Sequence, residues 1–416
     1  MTRRSTLLII AILLTTLFPP HPRRQARAAQ PSATSQPASA GVTSLGYPKA
    51  GDLKAEVARL RARLETSPDD DTARLRLGFV EFFRGIEATG QSLHHYGLRT
   101  PIEFVPMPFE PNLSPTKITY QDSRRIVETW LESLNRAEST LSEIRRDDVA
   151  ITLDVADITL DLDSDGVASS WENLDGFMRM RILGAKATLV VRLDIADAHW
   201  LRGYCHVLAG VCEFALAHEW KDFFEHAGQL LFEEIETPYP FLRRQTYGAG
   251  PGSIPPQLID IIAGVHEMRF DVIDPERMKA SHAHFKAAIR QSREMWSCVM
   301  KETDNALEWI PSPKQTGVLP IPVTQPMVDN WMRLLDEADA LLDGRRLLPF
   351  WRDGESRGVN LKRVFTEPRQ FDFVLWAQGT AAAPYLEQGE ITSDKFWNDI
   401  QSAFGNQLSL YALWIN

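Results

Sequence analysis

The chain has 416 residues, room for one large domain or two ordinary ones, and 44% hydrophobic with 24% charged residues supplies a real core. Three Cys exclude a disulfide-dense scaffold, and the composition excludes collagen-like, coiled-coil and wholly disordered chains. A formal charge of −10 argues against nucleic acid or an anionic membrane surface as partner, because phosphate binding is driven by clustered cations.

Met1-Thr2-Arg3-Arg4, an apolar run from Leu7 to Phe18 and small residues at Ala26 and Ala28 have the layout of a secretory signal peptide over 1–28. The run is shorter than the roughly 17–25 residues that span a bilayer, so cleavage is expected to leave a chain with no membrane attachment, periplasmic or secreted. Residues 29–48, rich in Ala, Ser, Gln, Thr and Pro, read as a flexible linker. An N-terminal helical region is expected over 49–147, and a mainly helical domain over 148–416. Val57, Leu60 and Leu64 recur at helical spacing, Ser67-Pro68-Asp69-Asp70 turns the chain, and Leu75 to Phe83 resume a helix. That hairpin is like one tetratricopeptide unit, without the further copies that a solenoid needs.

Five prolines from Pro101 to Pro115 predict an irregular connection, and a helix follows over 120–144. The period then changes to two at Ala150–Leu153, Ile158–Leu160 and Thr188–Leu193, which predicts short strands. Asp194 or Asp197 caps a helix running to about Leu216, and another carries Phe223, Phe224, Leu230 and Leu231. Further helices are predicted near 256–270, 275–307 and 327–342, then a strand at 371–376 and a last helix over 393–411. The fold class is mainly α, a multi-helix array with a small β element next to a strand–loop–helix site.

The strongest motif is Asp161-Leu162-Asp163-Ser164-Asp165-Gly166-Val167-Ala168-Ser169-Ser170-Trp171-Glu172. Calcium takes six to eight oxygens, and a 12-residue turn wraps them around one ion. Asp161, Asp163 and Asp165 each offer a carboxylate, Val167 a backbone carbonyl, Ser169 a direct or water-bridged contact, and Glu172 two oxygens. Gly166 permits the sharp turn. An acidic solvated turn with an N-cap is the plainer alternative, but four carboxylates in one turn repel without a cation. A lanthanide, equally fond of hard oxygens, fits as well as Ca2+.

The motif resembles the EF-hand calcium loop, over the loop and the helix expected after it through Trp171, Leu174, Phe177 and Met178. The segment before Asp161 alternates like a strand and no second matching loop exists, so the likeness is to solitary strand–loop–helix sites of exported bacterial proteins. That implies a structural ion rather than a sensor, which needs two helices to open. At whole-chain scale the sequence is similar to a group of uncharacterised exported bacterial proteins, through His199-Trp200-Leu201-Arg202-Gly203-Tyr204-Cys205-His206, Leu341–Pro349 and the calcium loop. The resemblance implies export and calcium binding, and no reaction.

Cys205 and Cys212 are about 10.5 Å apart along a helix, too far to pair with each other. Either one pairs with Cys298, or all three are core residues. His199 and His206 share a helical face with Glu213, which reads as core or interface unless a third group converges on them. Of eleven Trp, those at 130, 200, 331, 397 and 414 lie on apolar stripes, whereas Trp351-Arg352-Asp353 is the candidate for a pocket. The expected role is a non-catalytic, calcium-stabilised binding or scaffolding protein with a protein or carbohydrate ligand. The alternative is a secreted, polysaccharide-active or other enzyme with a structural calcium ion.

Overall fold

The computed structural model describes residues 52–99, 110–167, 169, 172, 189–243, 256–319, 321–352, 356–405 and 408–415. The expected signal peptide and linker, and the helix expected through Trp171 and Met178, lie outside them. Twelve α-helices and three small antiparallel sheets make up the described chain, a mainly α multi-helix array with a small β element.

The first hairpin joins α1 (Leu53–Thr66) to α2 (Asp71–His95). Asp70 starts α2 by accepting from the Ala73 amide at 2.9 Å. Helix α3 (Tyr120–Ser142) opens with a capping box, in which Thr119 and Asp122 each satisfy the other's backbone amide. Strands β1 (Ala150–Asp154) and β2 (Val190–Asp194) pair antiparallel, Ala150 opposite Asp194 and Asp154 opposite Val190. Ile151, Leu153, Val191 and Leu193 point into the core, as the period of two requires.

Asp194 ends β2 and begins α4 (Ile195–Leu216), forming a second capping box with Asp197. Then come β3 (His218–Glu219), α5 (Lys221–Ala227), α6 (Pro256–His266), β4 (Arg269–Val272) and α7 (Pro275–Val299). The chain continues through α8 (Gln325–Leu342), β5 (Leu348–Pro349), β6 (Gly358–Val359), α9 (Leu361–Thr366) and β7 (Phe371–Asp372). Finally come α10 (Phe373–Gln378), β8 (Leu386–Glu387), α11 (Asp394–Phe404) and α12 (Leu408–Ile415). Helices α2, α3, α4 and α7 pack in succession, α4 against α7 most extensively, and one apolar core runs from Leu53 to Ile415.

Several boundaries differ from the sequence expectation. The helix expected to reach residue 270 ends at His266, because Arg269–Val272 pairs with both β3 and β7. The strand expected at 371–376 has two residues before Asp372 caps α10 by accepting from Leu375 N at 2.8 Å. The last helix is two: α11 stops at Gly405, whose φ of 59° is left-handed, and α12 begins at Leu408.

Glycines let α2 approach its neighbours. A Cβ on Gly78 would lie 2.4 Å from Leu141 of α3, and one on Gly90 would lie 2.6 Å from Leu162. Gly78→Val is therefore expected to destabilise the protein by about 1–3 kcal/mol through overpacking. Urea unfolding would show this as a lower midpoint, and the co-substitution Leu141→Ala should recover part of it.

Candidate metal centre

The alternation of β1 continues past the strand, burying Ile158, Leu160 and Leu162. Asp161 lies between two buried leucines and is itself only 7% exposed. The loop is seated on α2: Leu162 lies over Gly90, Glu87 Oε1 accepts from the Asp161 amide at 3.0 Å, and Gln91 Nε2 donates to the Asp161 carbonyl at 2.8 Å. Glu87 is 3% exposed. It continues the stripe of Phe79 and Phe83 along α2, where an acid is out of place unless something needs it.

Beyond Asp161 the chain closes on itself. Asp163 Oδ1 accepts from the Asp165 amide at 3.1 Å, and Asp165 Oδ1 from the Val167 amide at 2.6 Å. Ser164 (φ 67°) and Gly166 (φ 74°) are both left-handed. Space around Gly166 is open, so its backbone conformation and not crowding demands glycine. Glu172 returns beneath the loop, 2% exposed. Its Oε1 accepts from Leu162 N at 2.6 Å and Asp163 N at 3.3 Å, and its Oε2 from Ser169 N at 3.0 Å.

One carboxylate oxygen from each of Asp161, Asp163 and Asp165 lies within 4.8 Å of the others. Asp163 is half-buried, Asp165 and Val167 are exposed, and Ser169 is half-buried at the rim. Asp161 Oδ1 is buried with no hydrogen-bond partner. Burial pushes the Asp163 carboxyl above its usual range, helped by the charges of Glu172 and Asp165. Burial does the same to Glu87, with Asp161 and Glu172 adding to it. Negative charge is thus concentrated around an unsatisfied hard oxygen, a donor set that could hold a metal ion. Glu87 and Gln91 are about 70 positions from the motif, and their partnership with it is a product of folding. Glu87's place on an apolar stripe was the available signal.

A second carboxyl cluster joins the end of β2 to the segment after α7. Asp194, Glu302 and Glu308 bring oxygens within 4.8 Å of one another, with Asp197 buried beside Asp194. Here the carboxylates already have donors. Asp194 accepts from Ala196 N at 2.9 Å and from Arg192 Nη1 at 3.0 Å. Glu308 accepts from Ala306 N at 2.7 Å, and Glu302 from Gln315 Nε2 at 3.1 Å. Burial raises all four: Asp197 well above its usual value with Asp194 adding, Glu302 to about 7 with Asp194, Glu308 and Asp304 adding. Proton affinity is raised throughout the cluster, and Arg192 supplies a guanidinium.

The histidines singled out in the sequence bridge α4 and α7, and His284 and Glu138 converge on His206. His199 Nδ1 lies 2.8 Å from Gln291 Oε1, and His206 Nδ1 lies 3.0 Å from His284 Nδ1. Glu138 is 3.5 Å from His206 Nε2 and 3.0 Å from Arg202, while Glu213 pairs with Arg277 at 2.7 Å. The three thiols are free. Burial lifts Cys212 to about 12 and Cys205 higher, so neither is a thiolate nucleophile at neutral pH. Trp331 and Trp414 are buried, and Trp130, Trp200 and Trp397 partly so. Trp351 is 41% exposed against Phe350, Arg352 donates to the Gln378 carbonyl, and Asp353 lies outside the described residues. Among known proteins, no family model, curated protein or solved structure matches this chain.

The acid cluster sets a pH dependence. Glu302 is ordinarily half-protonated near pH 4.5, and in the folded protein near pH 7, so the folded state holds the extra proton between those values. Stability from this group is present below about pH 4.5 and lost as pH rises through about 7. Between about pH 5 and 8 the melting temperature of the wild type should therefore fall relative to that of Glu302→Gln, which mimics the protonated form. Parallel melting curves across that range would show that Glu302 takes up no proton on folding.

Proposed function

We propose that the protein binds one calcium ion in the loop from Asp161 to Glu172 and works as an exported, calcium-stabilised binding or scaffolding protein. The carrying observation is Asp161 Oδ1, a buried carboxylate oxygen with no hydrogen-bond partner, close to oxygens of Asp163 and Asp165. Leaving such a group unpaired costs several kcal/mol, and a divalent cation at the loop would offset that cost. Asp161, Asp163 and Asp165 would hold the ion, with the Val167 carbonyl, Ser169 and Glu172 completing its shell. Glu172 already faces the loop from below, its oxygens on three backbone amides.

The proposed role is structural. The loop lies between α2 and the β1–β2 ribbon, so an ion there would tie the N-terminal hairpin to the centre of the molecule. Export is proposed from the leader-like residues 1–28. Calcium is abundant outside cells, where millimolar-range modules are filled. The ligand is proposed to be a protein or carbohydrate.

An ion bound only by the folded chain at 100 times its dissociation constant adds about 2.7 kcal/mol. Calcium added to chelator-stripped protein should raise the melting temperature by a few degrees, and magnesium by less, because it demands tighter octahedral geometry. Asp161→Asn should abolish the calcium response and leave the stripped protein at least as stable as the wild type, since it removes the unpaired charge. Glu172→Gln should also lose the response, at some cost in stability from its amide contacts. Superimposed wild-type melts with and without calcium, backed by calorimetry without binding heat, would reduce the loop to an acidic turn.

A further inference from the structure

Helix α6 is packed inside out. Its sequence Pro-Gln-Leu-Ile-Asp-Ile-Ile-Ala-Gly-Val-His has the small residues inward: Gly264 is buried, and a Cβ there would meet Ala227 of α5 at 3.2 Å. The large residues face solvent, with Leu258 48%, Ile259 49%, Ile261 44%, Ile262 59% and Val265 39% exposed. An amphipathic surface helix has the opposite arrangement, and among the described residues this face has no cover.

The apolar surface extends onto a neighbour. Phe373 N donates to the Met268 carbonyl at 2.9 Å, and Arg269 pairs with Asp372, so the start of α10 lies beside the end of α6. Val374 and Leu375 of α10 add exposed aliphatic area, 46% and 43% exposed. Together these side chains present on the order of 500 Å² of apolar surface, at the high end for one patch on a monomer.

We propose that α6 and α10 form the interface with a second copy of this chain. A stable interface buries roughly 800 Å² per partner, and in homodimers about 65% of it is apolar, so the core of one needs about 500 Å² of apolar surface. The patch supplies that amount. Charge points the same way. Two acidic copies repel, and residues near the two-fold axis face their own counterparts, so the centre of such a contact is best free of formal charge. Within α6 the one carboxylate, Asp260, is half-buried away from the most exposed stripe, and burial raises its pKa.

Sedimentation velocity of the purified protein from about 1 to about 100 µM tests this, the expected result being a concentration-dependent dimer. Ile262→Asp, at the centre of the stripe and on the surface, should sediment as a monomer with the wild-type circular dichroism and melting temperature. In a second test, Ile262→Cys should form a disulfide-linked dimer under mild oxidation. Leu113→Cys, 94% exposed elsewhere on the molecule, and the wild type should not. A protein that stays monomeric at the highest concentration, an Ile262→Asp variant that still dimerises, or flotation with phosphatidylcholine vesicles without self-association would each overturn the proposal.

Discussion

Glu87 Oε1 on the amide of Asp161 couples the molecule's two chemistries, its helical packing and its acidic loop. The contact brings a 3%-exposed carboxylate from α2 against a loop that already carries Asp161, Asp163, Asp165 and Glu172. Like charges gathered in low dielectric are expensive, and a protein keeps them together only where amides, protons or cations lie between them. Around this loop the backbone amides of Leu162, Asp163, Ser169, Asp165 and Val167 all turn toward carboxylates. None of them reaches the Asp161 carboxylate, whose Oδ1 has no hydrogen-bond partner. The seat beneath is equally specific, since Leu162 fits over α2 only because position 90 has no side chain.

The two carboxyl clusters leave opposite ends of one ribbon, and they meet the same physical problem differently. The acidic loop follows β1 by a few residues, while Asp194 is the last residue of β2, paired across to Ala150 at the far end. At that end the acids have a guanidinium within 3.0 Å, donors from Ala196, Ala306 and Gln315, and raised affinities for protons. Their donors come from within the chain. At the loop end Arg84 Nη1 lies 3.2 Å from Glu87, but one buried oxygen, Asp161 Oδ1, has no donor. The difference lies in the donors and not in the number of acids, which is why a cluster of carboxylates alone identifies no metal site.

Local chemistry was legible in the sequence, and long-range chemistry was not. The capping boxes at Thr119 and Asp194, the strand period at Ile151 and Leu153, and the turn residues Gly166 and Asp165 act within a few positions of themselves. Their elements were readable for that reason. The strand Arg269–Val272 was hidden because its partners are His218–Glu219 and Phe371–Asp372, far away in both directions, and two short pairings outweigh the helical pattern that runs up to Phe270. Likewise Glu302 and Glu308 look like ordinary surface acids until the end of α7 brings them to Asp194. Glu87 is the intermediate case, since an acid on an apolar stripe signals a buried partner without naming it.

The apolar pattern of α6 shows how periodicity states that a face exists without stating which face is covered. Leu258, Ile261, Ile262 and Val265 form the stripe that a core-facing helix would bury, yet it is Gly264 that faces α5, where a Cβ would lie 3.2 Å from Ala227 and 3.8 Å from Phe223. Close approach on the small side gives tighter backbone packing but little apolar area, so docking α6 on α5 leaves most of the hydrophobic driving force of the helix unused. Where a sequence keeps five large aliphatics on the outside of an eleven-residue helix, folding of the single chain accounts for the helix's position and association accounts for its composition. The acidic loop has the same logic with the sign of polarity reversed: in both places the fold is complete while one chemical group, an oxygen or an aliphatic stripe, still lacks its counterpart.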